Sequence, residues 1–187
     1  MKKIFFIVFL FLNQSQNIFS KEFKLQEAIN GLNSPWSLSF ISNDRVIATE
    51  KSGNLMLIDF NINEIKKIKH NLNILEDGQG GLLEVLYFKN QVFVSYSEDL
   101  KKGYSTTSVA KANFNENELN FQNIFRAEPP INSGYHFGSR LVIKDNLLYI
   151  TAGERGKGMI AQDPLKHPGS IIRVHLDGEI PKDNPKF

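Results

Sequence analysis

The sequence predicts an all-β protein assembled from a repeated antiparallel unit. Three observations carry that expectation. Apolar and polar residues alternate with period two through most of the chain, as half-buried strands require. The strand-like runs are separated by short stretches of Asn, Asp, Gly and Lys, which turn the backbone or solvate it. No segment shows the spacing of an amphipathic helix.

Taken in order, WSLSFI, RVIATE and LMLIDF give three strands between Trp36 and Phe60, joined by SND and KSGN. LLEVLYF and QVFVSYS follow between Leu82 and Ser97, linked by KN, and then STTSVAKANF from Ser105 to Phe114. A third set reads SRLVI, KDN and LLYITAGE from Ser139 to Glu154, with SIIRVHLDG later, from Ser170 to Gly178. β-Branched and aromatic residues dominate these runs because they fit a pleated, half-buried surface.

The three sets repeat one another. First strands begin near Ser37, Leu82 and Ser139, and second strands end alike in IATE, FVSY and YITA. Units of roughly 40 to 50 residues holding three or four antiparallel strands are propeller blades. A two-sheet sandwich ranks second, because it needs about seven strands at closer spacing. Propellers close with about four to eight blades. This chain supplies about three, so the expectation is the N-terminal part of a larger propeller.

Composition narrows the function. A net charge of +2 over 187 residues gives no support to a nucleic-acid or membrane-surface protein. The one short basic cluster, KKIKH (Lys66 to His70), reads as a solvated face. The chain has no cysteine, which excludes disulfides, thiol chemistry, iron–sulfur clusters and Cys-ligated zinc. At the N-terminus, Lys2 and Lys3 precede the apolar run Ile4 to Leu12, and polar NQSQNIFS follows. That is the order of a secretory signal peptide, and the run is shorter than the roughly 20 apolar residues a membrane span needs. Cleavage is expected after Ser20. The mature domain, residues 21–187, would then be periplasmic or secreted, without an integral membrane segment; an uncleaved anchor is the alternative.

Propeller ligands gather on loops that lead into the innermost strands, because the strands hold such loops rigidly. Here those loops are GLNSPW, EDGQGG and SGYHFG, which offer Trp36, Gln79 and His136. His136 is the sharpest candidate, since imidazole can take a proton near neutral pH and return it to solvent. Tyr135 and Phe137 would wall it, and Arg140 or Arg155 would hold anionic groups. A purely structural histidine is the plainer alternative. His70 and His175 read as surface or strand residues, and His167 and His175 lack convincing metal-site spacing. GERGKG lacks both the spacing of a phosphate loop and a following helix. No nucleophile elbow supports serine hydrolysis.

The segments GLNSPWSLSFISNDRVIATEKSGNLMLI, GQGGLLEV, SGYHFGSRLVI, LYITAGERG, AQDPLKHPGSIIRVHLDG and IPKDNP cover nearly the whole mature chain. Together they resemble the soluble glucose/sorbosone dehydrogenase family, quinoprotein aldose sugar dehydrogenases that use pyrroloquinoline quinone (PQQ). The resemblance implies a six-bladed β-propeller that oxidises the anomeric hydroxyl of an aldose to a lactone, with PQQ and Ca2+ as cofactors and an unidentified electron acceptor. It implies that His136, in HFGSR, is the catalytic base, taking the sugar's hydroxyl proton as hydride passes to the PQQ C5 carbonyl. Gln79, in GQGGLL, matches a residue contacting both PQQ and the sugar.

Three departures accompany the resemblance. Tyr135 stands where some members have an acidic residue. Glu154 stands where aspartate is also found, placed to orient His136 but with a longer side chain. The family's calcium ligands and cationic PQQ-binding residues lie in later blades, so no metal ligand is assigned here. The alternative readings are a non-catalytic propeller binding module or an inactive fragment of such an enzyme. A sugar-lactone hydrolase ranks third, because its acidic metal cluster is not visible.

Overall fold

The computed structural model describes residues 23–185; the expected leader, residues 1–20, lies outside them. Within them, twelve strands form three sheets. The first contains β1 (Pro35–Phe40), β2 (Arg45–Glu50), β3 (Leu55–Asp59) and β4 (Glu64–His70). The second contains β5 (Leu82–Phe88), β6 (Gln91–Asp99), β7 (Ser105–Asn113) and β9 (Gln122–Arg126). The third contains β10 (Gly138–Lys144), β11 (Leu147–Ala152) and β12 (Ile171–His175), with a short 3-10 turn at Gly158–Gln162 before β12. The two-residue strand β8 (Glu118–Leu119) joins the edge of the first sheet, running parallel to β4. Each sheet is otherwise an antiparallel meander, and β5 packs beside both β1 and β10. These are three consecutive blades of a β-propeller.

Alternation along the strands explains the stacking. In β2, Ile47 faces the second blade while Val46 and Ala48 face away. Ile47, Leu55, Leu57 and Ile68 pack against Leu82, Val85, Val92, Val94 and Tyr96. Phe93, on the opposite face of β6, joins Val109 against Leu141, Leu148, Ile150 and Val174 of the third blade. The second blade is therefore covered on both faces, and Val92 to Glu98 are all buried. Each fully buried aliphatic side chain contributes about 1.5–3 kcal/mol relative to exposure. The outer flank of the first blade is partly covered by Ile29 and Leu32 from the preceding segment, packed on Val46, Ala48 and Ile58.

The short turns behave as expected. Lys89-Asn90 and Asp145-Asn146 each place both residues at positive φ, between 48° and 62°, the backbone of a two-residue hairpin that matches strand twist.

A repeated device registers the blades. The innermost strand of each has a β-bulge, at Pro35/Ser37, Leu82/Val85 and Gly138/Leu141. At each bulge a backbone N–H donates to a hydroxyl on the second strand: Ser37 to Thr49 Oγ1, Glu84 to Ser95 Oγ, and Arg140 to Thr151 Oγ1. The first two hydroxyls in turn donate to a bulge carbonyl of the next blade, Thr49 to Leu83 O and Ser95 to Ser139 O. One hydroxyl thus satisfies a backbone donor in its own sheet and a carbonyl in the neighbouring one.

The structure adds strands β4, β8 and β9 to those expected. In β4, Ile65 and Ile68 lie on opposite faces, one toward each core cluster, so EIKKIKH carries no period-two apolar run. Lys67 and Lys69 are solvated as expected, but the same segment buries Ile68 and bonds His70 Nε2 to Gly53 O at 2.7 Å.

Candidate active site

Backbone bonds gather the loops leading into the blades at one end. Lys51 N donates to Ser34 O at 3.0 Å, and Lys51 O accepts from Leu82 N at 3.1 Å. Gln79 then meets the third blade. Its backbone N–H donates to Gly134 O at 2.7 Å, and its side-chain Oε1 accepts the His136 N–H at 2.8 Å. The carbonyl end of the Gln79 amide is therefore committed, and its NH2 end is the group left for a ligand.

The contact is close because glycines permit it. A Cβ on Gly78 would lie 2.5 Å from Gly134 O, and one on Gly153 would lie 1.9 Å from His136 O. With only hydrogen at those positions, both the EDGQGG loop and the TAGERG loop come directly against GYHFG. Gly153 N donates to Phe137 O at 3.1 Å.

His136 itself adopts φ +50°, a left-handed conformation uncommon outside glycine. Its side chain is 52% exposed. Nδ1 is hydrogen-bonded to Glu154 Oε1, which also accepts from Gly156 N at 3.1 Å. The bond to His136 holds the Glu154 carboxyl below the ordinary glutamate value, so Glu154 is an anion that requires Nδ1 to be the protonated nitrogen. Among the described residues no group bonds Nε2 of this half-exposed side chain.

The expected aromatic wall divides. Tyr135 is exposed, its ring 6.1 Å from the His136 ring, whereas Phe137 turns inward and is buried. The arginines also differ from expectation. Arg155 is 2% exposed and donates to Tyr135 O, Ser105 O, Ser105 Oγ and Ser133 O. Burial lowers it to about 10, so it remains a cation at neutral pH, but it presents no fork to an anionic ligand. Arg140 pairs with Glu84, whose Oε1 accepts from Ser37 Oγ at 3.1 Å. Ser37, Glu84 and Arg140 occupy the same place in the three blades, at the bulge, and form a polar string across the inner strands.

Trp36 is part of β1 rather than of the loop before it. It lines a groove of about 560 Å³ on the first blade together with Leu38, Glu84 and Arg140, and that groove includes neither Gln79 nor His136. Lys51, which the sequence did not single out, reaches this end and donates from Nζ to Gly78 O at 2.6 Å. Among the described residues no group of three or more His, Asp or Glu is arranged to hold a metal ion.

Known proteins share this arrangement of strands. The family described as Glucose / Sorbosone dehydrogenase matches residues 32–187. The aldose sugar dehydrogenase YliI of Escherichia coli is 31% identical over 164 residues, covering 82% of this chain and 44% of the relative. Quinoprotein glucose dehydrogenase B of Acinetobacter calcoaceticus is 26% identical over 211 residues, covering 90% and 42%. The crystal structure of the apo E. coli aldose sugar dehydrogenase aligns with TM-score 0.81 at 29% identity, over 86% of this chain and 49% of that one. A glucose dehydrogenase crystal structure gives the same TM-score at 31% identity, over 86% and 49%. The chain spans about half the length of the relatives it matches. With the family match running from the first blade through the third, the chain belongs to the glucose/sorbosone dehydrogenase family.

Proposed function

We propose that Gln79, His136 and Glu154 form the substrate-oxidising end of an exported, PQQ-dependent aldose sugar dehydrogenase. One observation carries this reading: His136 is tethered through Nδ1 to an anionic carboxylate, and its half-exposed ring keeps Nε2 unbonded among the described residues. That geometry suits a general base. Nε2 takes the proton of the anomeric hydroxyl, and Glu154 stabilises the imidazolium that results. As the O–H bond breaks, hydride leaves the anomeric carbon and the C=O bond of a lactone forms. PQQ, when bound, supplies the acceptor for that hydride. The Gln79 NH2 group, free because Oε1 is engaged, positions the sugar or the cofactor by donating to an oxygen.

The residues present fit the reacting edge of such a cofactor, since an amide donor and an imidazole converge there. They supply little for its carboxylates: Lys51, Arg140 and Arg155 are each already bonded to protein acceptors. Additional cations are required for the trianion. Calcium is the expected companion ion, and no acidic cluster of the described residues is assigned to it. The sequence Lys2 to Ser20 supports export, and the name quinoprotein borne by the Acinetobacter relative supports PQQ.

The test is turnover of glucose and other aldoses by the purified full-length protein, with and without PQQ and Ca2+, using an artificial electron acceptor. PQQ-dependent lactone formation is the expected result. PQQ binding without turnover would remove the dehydrogenase reading, and sugar binding alone would leave a propeller binding module.

A further inference from the structure

The most buried charged side chain among the described residues lies near His136 and has no part in the reaction just described. Arg155 sits beneath the loop, its Cζ 3.6 Å from the centre of the Phe137 ring. Its Nε donates to Tyr135 O at 2.9 Å, and Nη2 donates to Ser133 O and to Ser105 Oγ, the latter at 2.9 Å. Nη1 donates to Ser105 O at 3.1 Å. Its backbone N–H reaches His136 O at 3.4 Å.

These partners have a common feature. Ser133 and Tyr135 precede His136, and Phe137 follows it. Ser105 opens β7 in the second blade, so the guanidinium fastens the His136 loop to a neighbouring sheet. No carboxylate bonds to Arg155 among the described residues; Asp77 acts on it only through its field. Burying a cation without an ion-pair partner is costly, and a flat fork of five donors is the side chain that can satisfy several converging carbonyls. The backbone at His136 is in turn in a conformation that persists only where its surroundings impose it.

We propose that Arg155 is a positioning residue: its guanidinium holds the left-handed backbone at His136, so that Nδ1 meets Glu154 and Nε2 is left unbonded. The proposal rests on His136 being the base, but the placement it describes can be measured without substrate or cofactor.

The experiment is 15N NMR of the full chain, reading arginine Nε–H exchange and the histidine ring nitrogens. In the unaltered protein, Arg155 Nε–H should exchange at least about 10-fold more slowly than that of the exposed Arg140. Arg155→Lys keeps the charge and loses the fork. In a folded Arg155→Lys chain, the His136 nitrogens should move toward values averaged over both tautomers, and in the PQQ-loaded enzyme kcat should fall about 10-fold or more with KM little changed. Ser105→Ala removes one side-chain acceptor, keeps the backbone bonds of Ser105 to Ile131, and lies outside the His136 loop; it should speed Arg155 exchange and shift the same ring signals less. It decides the question if Arg155→Lys does not fold. Equal exchange at Arg155 and Arg140, or unmoved His136 signals in either folded variant, would overturn the proposal. Ring signals that move in a protein without turnover would sink the dehydrogenase reading and leave the positioning role standing. Turnover with ring signals unmoved would do the reverse.

Discussion

Arg126 and Arg155 are both held in polar clusters, yet they bond to opposite kinds of partner. Arg126, at the end of β9, donates from Nε and Nη2 to the two oxygens of Glu98 on β6. Ser108 and Asn123 complete the Glu98 shell. Burial pushes the Glu98 carboxyl up, but the bonds from Arg126, Ser108 and Asn123 outweigh it and hold the group below its ordinary value. Glu98 in turn raises Arg126. Arg155 moves the other way, because burial is opposed only by the distant field of Asp77. An ion pair such as Glu98–Arg126 ties strands that the sheet already aligns. A cation satisfied by carbonyls instead joins the bonds from Gln79 and Gly153 in fixing the path of a loop outside the sheet. The first serves stability and the second serves geometry.

The comparison can be broken most severely at His136. His136→Ala should lower kcat by about 10²- to 10⁴-fold, the range for losing a general base, while the melting temperature and PQQ affinity change little. Steady-state kinetics on folded, PQQ-loaded variant check this, and near wild-type turnover would leave the histidine structural.

Removing the carboxylate in the second blade should do the opposite. Glu98→Ala should cost about 1–3 kcal/mol, by stranding Arg126, Ser108 and Asn123, with kcat unchanged. Its pH dependence has a defined sign. A carboxyl depressed in the folded state stabilises fully above its ordinary value of 4.5, and that contribution is lost as pH falls through the lower folded value. Urea midpoints followed into acid should therefore fall in the native chain and flatten in Glu98→Gln. A parallel decline in both would show that the pair is solvated.

A smaller effect is expected at Gln79. Gln79→Ala should raise KM or weaken PQQ by about 10-fold, or about 1.4 kcal/mol, and leave measurable kcat, since an amide positions ligands without moving a proton. Calorimetry with PQQ and a substrate titration would separate the two losses; abolished kcat would assign Gln79 to the loop geometry instead.

The mildest test compares two hydroxyls of the blade register. Thr49→Val removes both the bond to Leu83 O and the acceptor for Ser37 N, and should cost about 1–2 kcal/mol. Thr151→Val loses only the acceptor for Arg140 N among the described residues, and should cost less. Equal unfolding midpoints would mean that the hydroxyl between blades adds nothing to stability.

Much of the architecture was legible because it is written locally. RVIATE, QVFVSYS and LLYITAGE announce strands by their alternation, and KN and KDN announce tight turns by residues that tolerate positive φ. The recurrence of one unit then selects blades over a sandwich. Strand β4 was hidden because its two isoleucines serve different faces. Strand β8 was hidden because its partner lies nearly 50 residues earlier, a pairing without local trace.

The candidate site divides along the same line. A histidine flanked by aromatic and glycine residues, a glutamine among glycines, and a glutamate beyond the next two strands stand out in the sequence by type and neighbourhood. Their meeting does not. It depends on Gly78 and Gly153 admitting carbonyls from loops some 20 to 60 residues away in the chain. Arg155 marks the limit. Next to Glu154 in a glycine-bounded loop it reads as an anion-binding group, yet it is buried and its donors are spent on carbonyls. A backbone carbonyl is the same at every residue, so sequence can name the side chains able to do chemistry, but only the tertiary structure decides which charge faces the ligand and which one holds the loop.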